Sequence, residues 1–236
     1  SSSAASDVYK RQTYTSANDA DEEDSVLVEV LAGATRTWGF WKTHLYLVKY
    51  MFADLPPEDP YHRDTPVVTL PINLGTWPNH GGTNVTHNIT TVCQYMGLMW
   101  SDSSKNSDGH LRYLIDQARI HTAQQALAAI MNDSMPNGAD LLDWLQTHGY
   151  PSATDARVLI ANILSSNNRA DIIALGNVLG GPDGYNESGE DVALDPSLPP
   201  TGKTNNADPQ GAREAGASCV AYWNSPDAPR GGRKGS

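Results

Sequence analysis

Between residues 111 and 132 apolar positions recur at helical spacing on two sides of one segment. Leu111, Leu114, Ile115 and Ala118 fall on one side, and Tyr113, Ile120, Leu127 and Met131 on the other. A helix that is apolar on two sides is packed from two sides, so this pattern predicts the central element. Three shorter amphipathic segments follow. Residues 139–147 end at Gly149-Tyr150-Pro151, residues 152–164 carry Ser152 as N-cap with Asp155 three positions on, and residues 168–179 end at Gly180-Gly181-Pro182. Their short connections predict antiparallel neighbours. Upstream, Val92, Tyr95, Met96 and Met99 form a short helical face, and a helix starting near Phe40 runs through Leu45, Leu47, Val48, Met51 and Phe52 until Pro56-Pro57 stops it. Two strands are predicted. Residues 25–31 put Val26, Val28 and Val30 on one face, and residues 66–74 are pushed to a sheet edge by Pro71. Residues 75–90 read as a long polar loop, residues 183–216 as irregular chain, and residues 219–223 as a returning strand. The expected architecture is a single α+β domain, mainly α, over 25–223, after an acidic lead-in at 1–24 and before a loose tail at 224–236.

One stretch departs from this regular patterning. Arg36-Thr37-Trp38-Gly39-Phe40-Trp41-Lys42-Thr43-His44 crowds three aromatics, a glycine and a histidine into an otherwise aromatic-poor chain. Trp38, Trp41 and His44 are the candidate binding residues. The stretch resembles the R-T-x-G-[FY]-W-x-[TN]-H opening of a poorly characterised family of secreted bacterial and archaeal proteins. Two further segments are similar to the same family: the helix from Leu114 through Asn132, and Tyr185-Asn186-Glu187-Ser188-Gly189-Glu190-Asp191. The resemblance implies an exported, envelope or extracellular protein and brings no catalytic residues.

Composition narrows the partners. A net charge of −11 and a pI of about 4.9, with basic residues clustered only in the tail at 230–234, argue against nucleic acid or an anionic membrane surface. No apolar run approaches the roughly 20 residues that cross a bilayer. Residues 1–12 resemble an adapter-derived translation from environmental sequence assembly, so the native N-terminus and any export signal are expected to lie outside this sequence. Cys93 and Cys219 are the only cysteines. In an exported protein an even count favours pairing, and a Cys93–Cys219 disulfide is expected.

Motifs for chemistry are sparse. Gly202-Lys203-Thr204 echoes a phosphate-binding loop without its first glycine, and Leu198-Pro199-Pro200-Thr201-Gly202 matches a sortase pattern without the hydrophobic tail that should follow. Asn84, Asn88, Asn132 and Asn186 each head an Asn-x-Ser/Thr pattern; Asn84 and Asn88, four apart in the predicted loop, are the candidate glycosylation sites. His80 and His87 share that loop but have no third ligand at zinc-like spacing, so no metal site is expected there. Asp183 to Asp191 reads as a solvated acidic turn, with calcium as the alternative. No cofactor is expected. The first functional reading is a secreted or cell-surface structural or binding protein without a catalytic motif; the second is a secreted hydrolase using His44 with a carboxylate brought near by folding.

Overall fold

In a computed structural model of the chain, residues 33–199 and 207–228 are described. The predicted strand at 25–31, the acidic lead-in, residues 202–204 and the basic cluster at 230–234 lie outside the described residues. The elements are α1 (Trp38–Thr43), α2 (Leu45–Met51), β1 (Ile72–Pro78), β2 (Asn84–Ile89), α3 (Val92–Met99), α4 (Leu114–Asp133), α5 (Leu141–Thr147), α6 (Ala156–Ser165), α7 (Arg169–Gly180) and α8 (Pro209–Gly216). Short 3-10 helices cover Tyr185–Glu187 and Ala217–Trp223. Among the described residues the architecture is α+β and mainly α, with one two-stranded antiparallel sheet.

α4 is the axis of the fold. All but one of its residues from Ala118 to Asn132 are buried, and it touches α1, α3, α5, α6, α7 and the 185–187 turn. Its alanines at 123, 126, 128 and 129 keep it slim enough for helices to pack on several sides. α7 crosses it closely through two glycines one turn apart. A Cβ on Gly176 would sit 2.6 Å from Thr122 Oγ1, and one on Gly180 would sit 1.9 Å from Gln125 Oε1. Toward α6, Arg119 donates to Asp116 at 2.8 Å and to the carbonyls of Leu164 and Ser166, so the buried carboxylate and guanidinium satisfy each other.

Several boundaries differ from the sequence reading for identifiable reasons. α4 starts at Leu114, because Leu111 and Arg112 are extended and bridge to Lys105 and Asp227. Leu111, Tyr113 and Leu114 are therefore exposed, at 54%, 43% and 63%, and the expected apolar face there does not form. The aromatic stretch begins its helix at Trp38, capped by Thr37, and the helix breaks at His44 (φ −101°, ψ 63°) into α1 and α2. α6 starts at Ala156, since Asp155 rather than Ser152 caps it by accepting from the Val158 amide at 2.9 Å.

The predicted edge strand at 66–74 shifts to Ile72–Pro78, after a cis Leu70–Pro71 bond, and the predicted polar loop supplies its partner. β1 and β2 pair Ile72 with Ile89 and Trp77 with Val85, with an irregularity between Asn73 and Thr76. The 79–83 turn closes when the Asn79 amide donates to the Thr83 carbonyl at 2.8 Å, and Gly82 supplies its positive φ of 76°. Residues 209–216, expected to be irregular, form α8, capped by Asp208 with Pro209 in its first turn. The predicted strand at 219–223 is a 3-10 helix. Residues 224–228 are docked rather than loose: Ser225 is buried and the Ala228 amide donates to Leu111 at 2.7 Å.

Candidate functional site

The aromatic stretch is an anchor whose hub is Asn132 of α4. Trp41 is fully buried, and its Nε1 donates to Asn132 Oδ1 at 2.8 Å. The same oxygen accepts from the Arg36 amide at 2.9 Å, while Asn132 Nδ2 donates to the Arg36 carbonyl at 2.9 Å and to Asn186 Oδ1 at 3.1 Å. Asn186 Nδ2 in turn donates to Gln125. Gly189 and Thr35 close the next rung, and the Arg36 guanidinium donates to the Val192 carbonyl at 2.9 Å. Residues 36–41, α4 and the 185–189 segment thus meet at one side chain. The stretch from Asp183 to Asp191 also straps the aromatic segment, its Asn186 being consumed by the hub and its Gly189 paired with Thr35. Asn132 and Asn186 are buried and closed to glycans in the folded chain, whereas Asn84 is exposed and Asn88 half-buried on β2.

His44 sits at the break between α1 and α2. Its ring stacks on Phe40 at 3.7 Å, and its Nδ1 lies 2.7 Å from the Phe40 carbonyl and 3.2 Å from Thr43 Oγ1. Burial holds its pKa below the usual histidine value, opposed by the Phe40 hydrogen bond and aided by the nearby Arg36 charge. Among the described residues no carboxylate pairs with the ring. Trp38 faces elsewhere: Lys42 Nζ lies 4.4 Å from the Trp38 ring and 4.2 Å from that of Trp100, with Arg213 at 6.0 Å from Trp100.

Trp100 caps α3 and opens onto a cleft of about 400 Å³. Asp102, Lys105, Asn106 and Ser107 form one wall, and Arg213, Ala217 and Val220 the other. Lys105 and Arg213 make no ion pair with a carboxylate among the described residues, where Arg119 is the one Lys or Arg that does. The second wall is fixed to α3 by the Cys93–Cys219 disulfide, with Cα atoms 5.7 Å apart, and by Trp223 Nε1 donating to the Gln94 carbonyl at 3.0 Å. A Cβ on Gly97 would lie 2.9 Å from the Cys219 carbonyl oxygen, so only glycine permits so close an approach.

Next to this cleft the two loop histidines part company. His87 points inward, where it stacks on Trp77 at 3.9 Å and approaches Trp223 at 5.5 Å; its Nε2 lies 3.3 Å from the Trp77 carbonyl. Burial depresses its pKa to about 4, against the Trp77 hydrogen bond and with a small push from Arg119. Because the native state refuses a proton that the unfolded chain accepts below about pH 6.5, stability is complete above that value. It is lost as pH falls toward 4, by roughly 3 kcal/mol in all. Substituting phenylalanine, which keeps the stack, is expected to remove about 2 kcal/mol of the stability loss between about pH 7.5 and pH 5. Urea midpoints of wild type and His87→Phe across that range check this, and identical slopes would refute it.

His80 points outward. Its Nδ1 lies 3.2 Å from the Ser225 carbonyl and 3.9 Å from Asp227 Oδ1. His110 Nδ1 lies 2.8 Å from Asp227 Oδ2 and 3.4 Å from Asp108 Oδ2. Asp227 is partly desolvated, which raises its pKa, but hydrogen bonds from Asn106 and His110 outweigh this and hold it below the usual carboxylate range. Beneath the cluster Arg112 is 1% exposed and donates to the carbonyls of Trp223, at 2.6 Å, and of Lys105, at 3.0 Å. Burial lowers its pKa to about 10, although Asp116, Asp102 and Asp108 favour its charge. Local spacing gave His80 no third ligand; Asp108 and Asp227 come from distant segments, and nothing in the sequence near residue 80 pointed to them. Among the described residues no helix is long and apolar enough to cross a membrane. Compared with protein-family models, curated proteins and solved structures, the chain matches none.

Proposed function

We propose that this chain is an exported protein of the cell surface or extracellular space that works by binding, with the cleft beside Trp100 as its ligand seat. The observation that carries this reading is the Cys93–Cys219 disulfide, which ties together the two elements flanking the cleft. Both cysteines are only partly buried, so cytosolic thiols would reach the bridge, and a bond so placed persists in an oxidising compartment. The resemblance of residues 36–44, 114–132 and 185–191 to secreted proteins supports the same compartment. Within the cleft, Lys105 and Arg213 beside an indole outnumber the one carboxylate of the lining, Asp102, and favour a ligand with an anionic group.

The test uses the protein made in its native host from the full-length gene. Intact mass with and without reduction should show loss of an N-terminal signal and alkylation of Cys93 and Cys219 only after reduction. Freely alkylating thiols on a chain that keeps its N-terminus would sink the export reading. For the cleft, titration with phosphate, citrate and glucuronate should perturb tryptophan fluorescence in wild type and much less in Arg213→Ala. No response to any of the three would remove the anionic seat.

A further inference from the structure

We propose that His80, Asp108 and Asp227 form a surface site for a divalent transition metal of the zinc class, with His110 orienting Asp227. The inference does not rest on the binding role proposed above: it uses none of Cys93, Cys219, Trp100 or Arg213 and shares with the cleft only Asn106, as a support.

One ligand atom from each of His80, Asp108 and Asp227 lies within 4.8 Å of the other two. Donors at zinc-ligand distance, about 2.0–2.2 Å from a shared ion, stand roughly 3–4 Å from one another. The 3.9 Å between His80 Nδ1 and Asp227 Oδ1 already meets that spacing, an ion there would replace the 3.2 Å contact of Nδ1 with the Ser225 carbonyl, and a carboxylate oxygen of Asp108 lies within 4.8 Å of a ligand atom of each. Imidazole with carboxylates suits zinc and its neighbours better than calcium, which prefers six or more oxygens.

Chance surface proximity is a poor account of the arrangement, because its supports are buried. Asn106, 3% exposed, donates through Nδ2 to Asp227 Oδ1 at 2.8 Å and to the Ser225 carbonyl at 2.7 Å, and accepts from the Ser225 amide at 3.0 Å. Arg112 donates to Ser225 Oγ at 3.2 Å, and its own backbone bridges to Asp227. These bonds fix the C-terminal segment against the 102–110 loop at the position where the hairpin turn delivers His80. His110 occupies the second oxygen of Asp227, as the outer partner of a metal-bound carboxylate does. Three protein ligands leave a coordination position for water or for a donor atom of a ligand.

The test uses the full, oxidised chain after dialysis against a chelator. Zn2+ is titrated against a colorimetric competitor and Co2+ by its visible absorption, with Ca2+ and Mg2+ as comparators. One saturable Zn2+ site per chain is expected, together with a rise in melting temperature on Zn2+ addition. His80→Ala and Asp108→Asn, both at exposed positions, should each weaken Zn2+ binding by about tenfold or more. His148→Ala, at an exposed histidine stacked on Trp144, should not. Circular dichroism of each variant shows that the fold is kept. Absence of saturable Zn2+ uptake by wild type, uptake unaffected by His80→Ala and Asp108→Asn, or an equal loss in His148→Ala would overturn the assignment.

Discussion

Asn132→Leu is expected to lower stability by about 4 kcal/mol, because leucine fills the space of the amide and satisfies none of its partners. Four groups lose their bonds: Trp41 Nε1, the Arg36 amide, the Arg36 carbonyl and Asn186 Oδ1. Trp41 and Asn186 are at most 1% exposed, so water cannot replace what is removed. A buried polar group left without a partner costs about 1–3 kcal/mol, and the four effects do not simply add, since they share one network. For a chain of this size the loss corresponds to a drop in melting temperature of roughly 10 °C. Thermal or urea unfolding followed by circular dichroism measures it. Trp41→Phe removes one of the four bonds, so combining it with Asn132→Leu should cost much less than the sum of the two. A single-variant loss below about 1 kcal/mol would mean that Asn132 is not the hub.

The physics of that hub also explains what the sequence could and could not convey. Helical periodicity is a local signal, and it located α4, α5 and α7 to within a few residues, including the Gly180-Gly181-Pro182 stop. It also marked Trp38, Trp41 and His44 as unusual, but aromatic crowding cannot say whether rings face a ligand or a core. Trp41 faces Asn132, His44 stacks on Phe40, and Trp38 shares Lys42 with Trp100. β2 was hidden by its chemistry. Its inward positions are Val85, His87 and Ile89, and a histidine reads as polar until Trp77 is known to cover it. α8 was hidden by composition, being polar on most sides, although Asp208-Pro209 is a usable start signal.

The candidate sites were less legible still. His80 was visible and its ligand partners were not, because Asp108 and Asp227 reach it only after Asn106 and Arg112 have pinned the C-terminal segment. That pinning is long-range and polar, and no periodicity records it. Pairing of Cys93 with Cys219 was expected from the even count taken together with the exported reading, since two cysteines allow one bridge. Which elements that bridge would join was not.

Removing the bridge is expected to produce a large loss of global stability with little change in the native structure, and these two outcomes separate its mechanisms. The cross-link spans 126 residues, and on the chain-entropy model it restricts the unfolded ensemble by up to about 5 kcal/mol, with 2–5 kcal/mol the usual range for native bridges. In the folded state the same segment keeps other attachments: Trp223 is buried and bonded to Gln94, Arg112 holds the Trp223 carbonyl, and Asn106 holds Ser225. Burying an indole contributes about 2–3 kcal/mol, enough to keep residues 217–228 docked once the sulfurs part. A Cys93→Ser/Cys219→Ser double variant should therefore unfold at a clearly lower urea midpoint, while its near-ultraviolet circular dichroism and its Zn2+ affinity change little. If Zn2+ affinity fell in step with stability, the bridge would be acting on the folded state, holding Asp227 in place. An unchanged midpoint would mean that the unfolded chain gains almost no freedom when the bond is absent, and the chain-entropy account of this bridge would fail.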